Sequence, residues 1–339
     1  MKNQNIKTNQ SAVLQAITFA LLLFFLVNTA AADTELVKLP DTEFAKWQTF
    51  SQGENPEQLL WLSEPNGGVA DGPFQGPMAF ITDRNANLWV GDTLNARISA
   101  FSQNGRPIRT IDLIKSARQA GLASDPILVT LTPGMPGKLL VGDAANNAII
   151  EIDLRQTTAR AFLPTASGSA AWRQINHVHC DQQGKIYIED VASRRTFILN
   201  RDGKAESAPL EGLLGIAVAG NGKLAVLAAD EKNSGLWQIL TAEKHGNKLH
   251  PLAFLRDDEP IIWASLQGYD ARNRLHAIYD TPSSRFYLAI AADGSIVRKY
   301  QTSHPEPGYD PTRPDWVDAY GRLYTVRING RRLEILTLK

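Results

Sequence analysis

One strand-turn-strand pattern recurs along the chain. It reads NLWVGDTLNARISAFSQNGRPIRTI from Asn87, GKLLVGDAANNAIIEIDLRQTTARAF from Gly137 and GKIYIEDVASRRTFILNRDGKAESA from Gly184. Each copy has a short apolar strand, an Asp, a polar turn, a second strand and a run-out. The Asp recurs as Asp92, Asp143, Asp190, Asp230 and Asp280, at spacings of 51, 47, 40 and 50 residues. Periods of about 40–50 residues holding four short strands are those of propeller blades. The units contain no run of 3.6 periodicity, which excludes helical arrays of similar period.

Turn chemistry and strand composition agree with that reading. Asn104-Gly105, Asp202-Gly203, Asn221-Gly222, Asp293-Gly294 and Asn329-Gly330 can take positive φ cheaply in tight turns. Leu88 and Val90 alternate with Trp89, and Leu224 and Val226 with Ala225 and Leu227, so the strands are apolar on both faces. A solvated sheet would be polar on one face, whereas a blade packed between two neighbours buries both. The units fall at about 77–113, 126–164, 175–210, 214–255, 263–300 and 314–339. The last has only three strands, and the apolar segment at 34–61 can supply the fourth. The expectation is an all-β, six-bladed β-propeller of four-stranded antiparallel blades, its last blade closed by the N-terminal strand so that no sheet edge stays open.

The first 32 residues read as a signal peptide. Lys2 and Lys7 form a positive start, Ala16–Val27 is apolar apart from Thr18, and Ala30-Ala31-Ala32 offers a cleavage site before Asp33. The apolar run is about a dozen residues, short for a span of hydrocarbon. A periplasmic or secreted chain with a single domain from residue 33 to 339 is expected. With 35 basic and 35 acidic side chains in 339 residues, nothing electrostatic points to nucleic acid. No membrane insertion of the mature chain is expected, and a monomer is. Cys180 is the only cysteine, so it cannot form a disulfide within one molecule.

GPFQGPMAFITDRNANLWVGDTLNARISAFSQNG resembles an NHL repeat: Pro77, Asp83, Asn85, Asp92, Asn95, Arg97 and Ile98 occupy the places of its usual pattern, and later units match it less well. The resemblance extends as architecture to TolB-like and gluconolactonase-like propellers. It implies a fold whose members include binding scaffolds, lyases and lactonase-like hydrolases, and so selects no chemistry.

Candidate sites follow from the rim where each second strand turns into the third. Asp92, Asp143, Asp190 and Asp280 could together hold a cation such as Ca²⁺. Alternatively each could accept N–H bonds within its own turn, and recurrence in nearly every unit favours this. His177 and His179 share one face of a strand, a spacing open to a metal, but two ligands do not make a site. Trp172, Trp263, Tyr309 and Trp316 lie at the connections entering first strands, beside Arg173, Asn176 and Asp315. Such aromatic platforms edged with polar groups suit a peptide, a glycan or a protein surface, while the plainer reading has the rings wedged between blades. No G-x-S-x-G elbow or phosphate-binding loop occurs. The reading is a binding or interaction scaffold at one rim, with a metal-assisted lactonase- or lyase-type enzyme at the channel mouth as the alternative.

Overall fold

The computed structural model describes residues 36–38, 44–62, 76–164, 171–206, 210–211, 215–229, 236–242, 249–303, 315–329 and 332–338. The signal-peptide segment, Asp230 and Tyr309 lie outside them. A three-residue strand β1 (Leu36–Lys38) precedes strand β2 (Phe44–Ser51). Blade 1 is β3 (Ala79–Thr82), β4 (Leu88–Asp92), β5 (Arg97–Phe101) and β6 (Pro107–Asp112). Blade 2 is β7 (Leu128–Pro133), β8 (Lys138–Asp143), β9 (Ala148–Asp153) and β10 (Thr158–Phe162), and blade 3 is β11 (Ile175–Cys180), β12 (Ile186–Asp190), β13 (Arg195–Leu199) and β14 (Leu210–Glu211). Blade 4 runs from β15 (Ala217–Val218) through β16 (Leu224–Ala229) and β17 (Trp237–Ala242) to β18 (His250–Leu255). Blade 5 holds β19 (Trp263–Tyr269), β20 (Leu275–Asp280), β21 (Ser284–Ile290) and β22 (Ile296–Ser303). Blade 6 has β23 (Asp315–Val317), β24 (Leu323–Asn329) and β25 (Arg332–Leu338), with β2 on the outside of β25. The expected six-bladed propeller, closed by the N-terminal strand, is the fold.

First strands β3, β7, β11, β15, β19 and β23 each touch the next, the last returning to the first, and so surround a central channel. A separate hydrophobic cluster fills each seam between blades. Leu88 and Val90 face blade 6 beside Trp316 and Ile335, while Trp89 on the opposite face meets Leu131 and Leu139 of blade 2. This is why the strands carry apolar residues on both sides.

A second recurring carboxylate organises the opposite rim, where first strands turn into second strands. Asp83, Asp181, Asp270 and Asp318 each accept the backbone N–H of residues two and four positions on. Each also bonds the polar tip of the side chain six positions on: Trp89 Nε1, Tyr187 OH, His276 Nε2 and Tyr324 OH, at 3.1–3.2 Å. The residue three positions after that Asp, or its counterpart in blades 2 and 4, has positive φ in all six blades: Ala86, Gly137, Gly184, Gly222, Asn273 and Gly321. A buried carboxylate thus gains enough donors to offset its desolvation.

The helix α1 (Leu113–Gln119) was not anticipated from the repeat. Asp112 caps it by accepting Lys115 N–H at 2.9 Å, and Leu113 and Ala117 bury into the seam between blades 1 and 2. Among the described residues no helix is long and apolar enough to cross a membrane.

Ring closure rests on pairs such as Phe50 with Leu333 and Gln48 with Ile335. The segment after β2 is fastened to blade 1 by Arg97, which donates to the carbonyls of Glu54, Asn55 and Gln58 while its Nε bonds Asp92. A chain lacking residues 33–61 should aggregate or lose most of its thermal stability, compared by circular dichroism melting with a chain beginning at Asp33; equal melting would refute closure by this segment.

The rim carboxylates also predict a pH dependence. Burial alone would raise the Asp270 carboxyl, but the bonds from His276 and Arg274 outweigh it and hold the group well below the usual carboxylate range. A carboxyl whose folded pKa lies below its unfolded one stabilises the fold at pH above the unfolded value of about 3.9, and that stabilisation is lost as pH falls toward the folded value. Asp270→Asn should therefore cost about 2 kcal/mol near neutral pH. Denaturant titrations across pH should show the gap to the parent narrowing below about pH 4.

Candidate functional site: the channel cavity

The Asp rim predicted from sequence is built from buried caps. Asp92 accepts Leu60 N–H, Asn95 Nδ2 and Arg97 Nε at 2.7–3.1 Å, and Asp143 accepts the N–H of Ile127 and Ala145 and the Asn146 amide. Asp190 takes Gln174 N–H and the Ser193 hydroxyl, and Asp280 is gripped by two nitrogens of Arg285. All four are at most 4% exposed, so their oxygens serve neighbouring turns and strands of the fold. Burial pushes the Asp92 carboxyl up from its usual value, although Asn95, Leu60 and Arg97 pull it down. Among the described residues no three His, Cys, Asp or Glu side chains gather where they could hold a metal ion.

The aromatic rim divides in the same way. Trp172 is 3% exposed, meets Phe197 edge-on at 5.9 Å, and exchanges bonds with Asn147 through its Nε1 and its carbonyl. Its ring packs in the hydrophobic cluster between blades 2 and 3. Arg173 beside it is exposed and Asn176 half-buried. Trp263 is 40% exposed, with the Arg285 guanidinium 5.6 Å from its ring. Arg285 also bridges Asp280 to Asp315 at 3.2 Å, and burial pushes the Asp315 carboxyl up against that attraction.

Trp316 goes elsewhere. Its indole, 5% exposed, stacks between Phe80 at 5.5 Å and Tyr324 at 5.3 Å and forms part of the wall of a channel cavity of about 810 Å³. The cavity opens among the turns that follow the first strands, lined there by Asp83, Arg84, Asn85, Met135, Pro136, Asp181, Gln182 and Ala319. Inside, Met78, Phe80, Ile81, Trp89, Leu131, Leu139, Val218 and Val317 make most of the wall apolar. Thr130, Thr132, Gln267 and Tyr269 add polar groups. Of the residues expected on the aromatic rim, Trp172, Arg173, Asn176, Trp263 and Asp315 do not line it.

His177 and His179 do line it, their rings 6.4 Å apart. His179 Nε2 lies 3.0 Å from Glu189, a fully buried carboxylate that also accepts the N–H groups of Gly215 and Ile216 from blade 4. Cys180, next along the strand, is a half-buried thiol pushed up to about 12 by burial, which keeps it unreactive. The cavity residues were hard to find in the sequence because they are single positions of separate first strands. The recurring turn after each first strand was the available signal.

No known family profile and no curated protein matches the chain. Among solved structures it is similar to virginiamycin B lyase from Staphylococcus aureus, determined with quinupristin. The identity is 13% over 83% of this chain and 99% of that one, with a TM-score of 0.50. A gluconolactonase from Xanthomonas campestris shares 16% identity over 75% of this chain and 83% of that one, at a TM-score of 0.47. The propeller domain of Swd1 from Myceliophteria thermophila shares 12% over 86% and 97%, at 0.48. At such identity the likeness to the lyase shows a common propeller fold and nothing of its chemistry.

Two tryptophans make the division of the rim measurable. Trp172→Ala should cost about 3–5 kcal/mol, as emptied core sites do. Trp263→Ala should cost less than about 1 kcal/mol. Urea unfolding of the two variants beside the parent checks both.

Proposed function

We propose that the chain is an exported NHL-type propeller that acts as a binding module and takes an apolar-bodied ligand into its channel cavity. The cavity is the observation that carries this reading. Its volume of about 810 Å³ lies within the range of small-molecule sites, and its apolar wall with a few polar groups is their usual anatomy. The exported state rests on the N-terminal sequence, and the NHL assignment on the residues from Pro77 to Ile98. Trp263 remains, at the other rim, as a contact surface for a peptide or protein partner.

A lactonase- or lyase-type enzyme is the second reading, and His179 favours it. An imidazole oriented by a buried carboxylate at a cavity wall has the arrangement that a general base needs.

The binding reading is tested with the neutral fluorescent probe N-phenyl-1-naphthylamine. Thr132 is half-buried in the wall, so Thr132→Trp should place an indole in the cavity and weaken probe binding at least tenfold, whereas Trp263→Ala should leave it within about twofold. Thermal melting confirms that both variants are folded. Unchanged probe affinity in folded Thr132→Trp would refute the channel as the binding site.

A further inference from the structure

We infer that the cavity's ligand is a small amphipathic acid, an apolar body carrying one carboxylate that lies at the mouth beside Arg84. This rests on the channel cavity being the binding site and adds the chemical class of what fills it.

The inference follows from which charges at the cavity are already engaged. Two carboxylates line it, Asp83 and Asp181. Asp83 takes four donors: the N–H groups of Asn85 and Asn87, the Asn87 amide and Trp89 Nε1. Asp181 takes three: the N–H groups of Gln183 and Lys185, and the Tyr187 hydroxyl. An ammonium head would find no carboxylate there without breaking the turns that hold blades 1 and 3. Glu189 lies behind His179 and is likewise engaged, by the ring and two backbone N–H groups. Lys138 lines the cavity too, but its Nζ is 2.7 Å from Glu151.

Arg84 differs from these. Its carbonyl accepts the Tyr320 hydroxyl at 2.9 Å, which fixes its backbone across the seam between blades 6 and 1. Its guanidinium is exposed at the mouth and has no ion pair among the described residues. A guanidinium offers paired N–H donors in the geometry a carboxylate accepts. The part of the cavity wall that blades 1 and 2 supply includes Ile81, Trp89, Leu131 and Leu139. An apolar chain fits there by burying its surface. Trp316, which also lines the cavity, has a buried Nε1 donor with no acceptor among the described residues.

The test displaces N-phenyl-1-naphthylamine from the full chain with three ligands of one chain length: decanoate, decan-1-ol and decyltrimethylammonium. Decanoate should bind about tenfold more tightly than decyltrimethylammonium, and its advantage should shrink as sodium chloride rises. In Arg84→Ala, decanoate should weaken about fivefold while decan-1-ol stays within twofold. Decyltrimethylammonium binding as tightly as decanoate, or an Arg84→Ala variant with unchanged decanoate affinity, would overturn the ligand class. Either result leaves the cavity reading intact, since the neutral probe and Thr132→Trp report on that separately.

Discussion

Each blade of this ring is apolar on both faces, so no blade can be exposed without uncovering a seam, and the ring must close. Closure depends on one antiparallel ladder, β2 against β25, made by residues nearly three hundred positions apart. Phe50 at its end meets Phe101 of blade 1, with ring centres 4.6 Å apart, so the same strand that completes blade 6 also fills the seam to blade 1. Arg97 then ties the following segment down through three carbonyls. Five seams are built from blades adjacent in sequence, and the sixth joins the two ends of the chain. Such a contact has a high loop-closure cost and adds little until the other blades are formed.

Both rims solve one problem with similar means. A strand end leaves backbone N–H groups unpaired, and a buried Asp supplies acceptors for them. On one rim Asp143 and Asp190 join the second-to-third turn to the N–H of the residue just before the blade's first strand, and Asp92 joins it to Leu60 N–H in the segment after β2. On the other, Asp83, Asp181, Asp270 and Asp318 join the first-to-second turn to a ring on the second strand. Carboxylates with this many partners are structural groups, and they leave a ligand little to bind except at positions between them. Arg84, Gln182 and Ala319 occupy such positions at the cavity mouth.

First strands meet at the ring's axis, where their side chains reach the channel from six directions. Short side chains such as Thr130, Thr132 and Val218 are among those that line the cavity there. The apolar share of its wall derives from the seams: Trp89, Leu131 and Leu139 belong at once to the core between blades 1 and 2 and to the cavity. Binding there therefore makes use of surface that the fold has already ordered, which limits the conformational cost of binding.

The architecture was legible in the sequence because a repeat states its own period and its turns name their chemistry. Asp92 and its successors, the Asn-Gly and Asp-Gly pairs, and the two-faced strands Leu88–Val90 and Leu224–Leu227 suffice for six blades and a borrowed last strand. In the structure Asn104 and Asp202 keep negative φ, and the following glycine alone takes the left-handed turn. That is a detail of geometry that leaves the pairing unchanged. What only the tertiary structure decided is which side chains share a space. Trp172 precedes its strand in the chain, and reads there as a rim residue, yet Phe197 on β13 and Asn147 in the β8–β9 turn enclose it. Arg84, Thr132, His179 and Trp316 are isolated positions in four blades with no common motif. The cavity they border arises because six strands, each specified by local pattern, converge on one axis, and local pattern carries no information about distances across that axis.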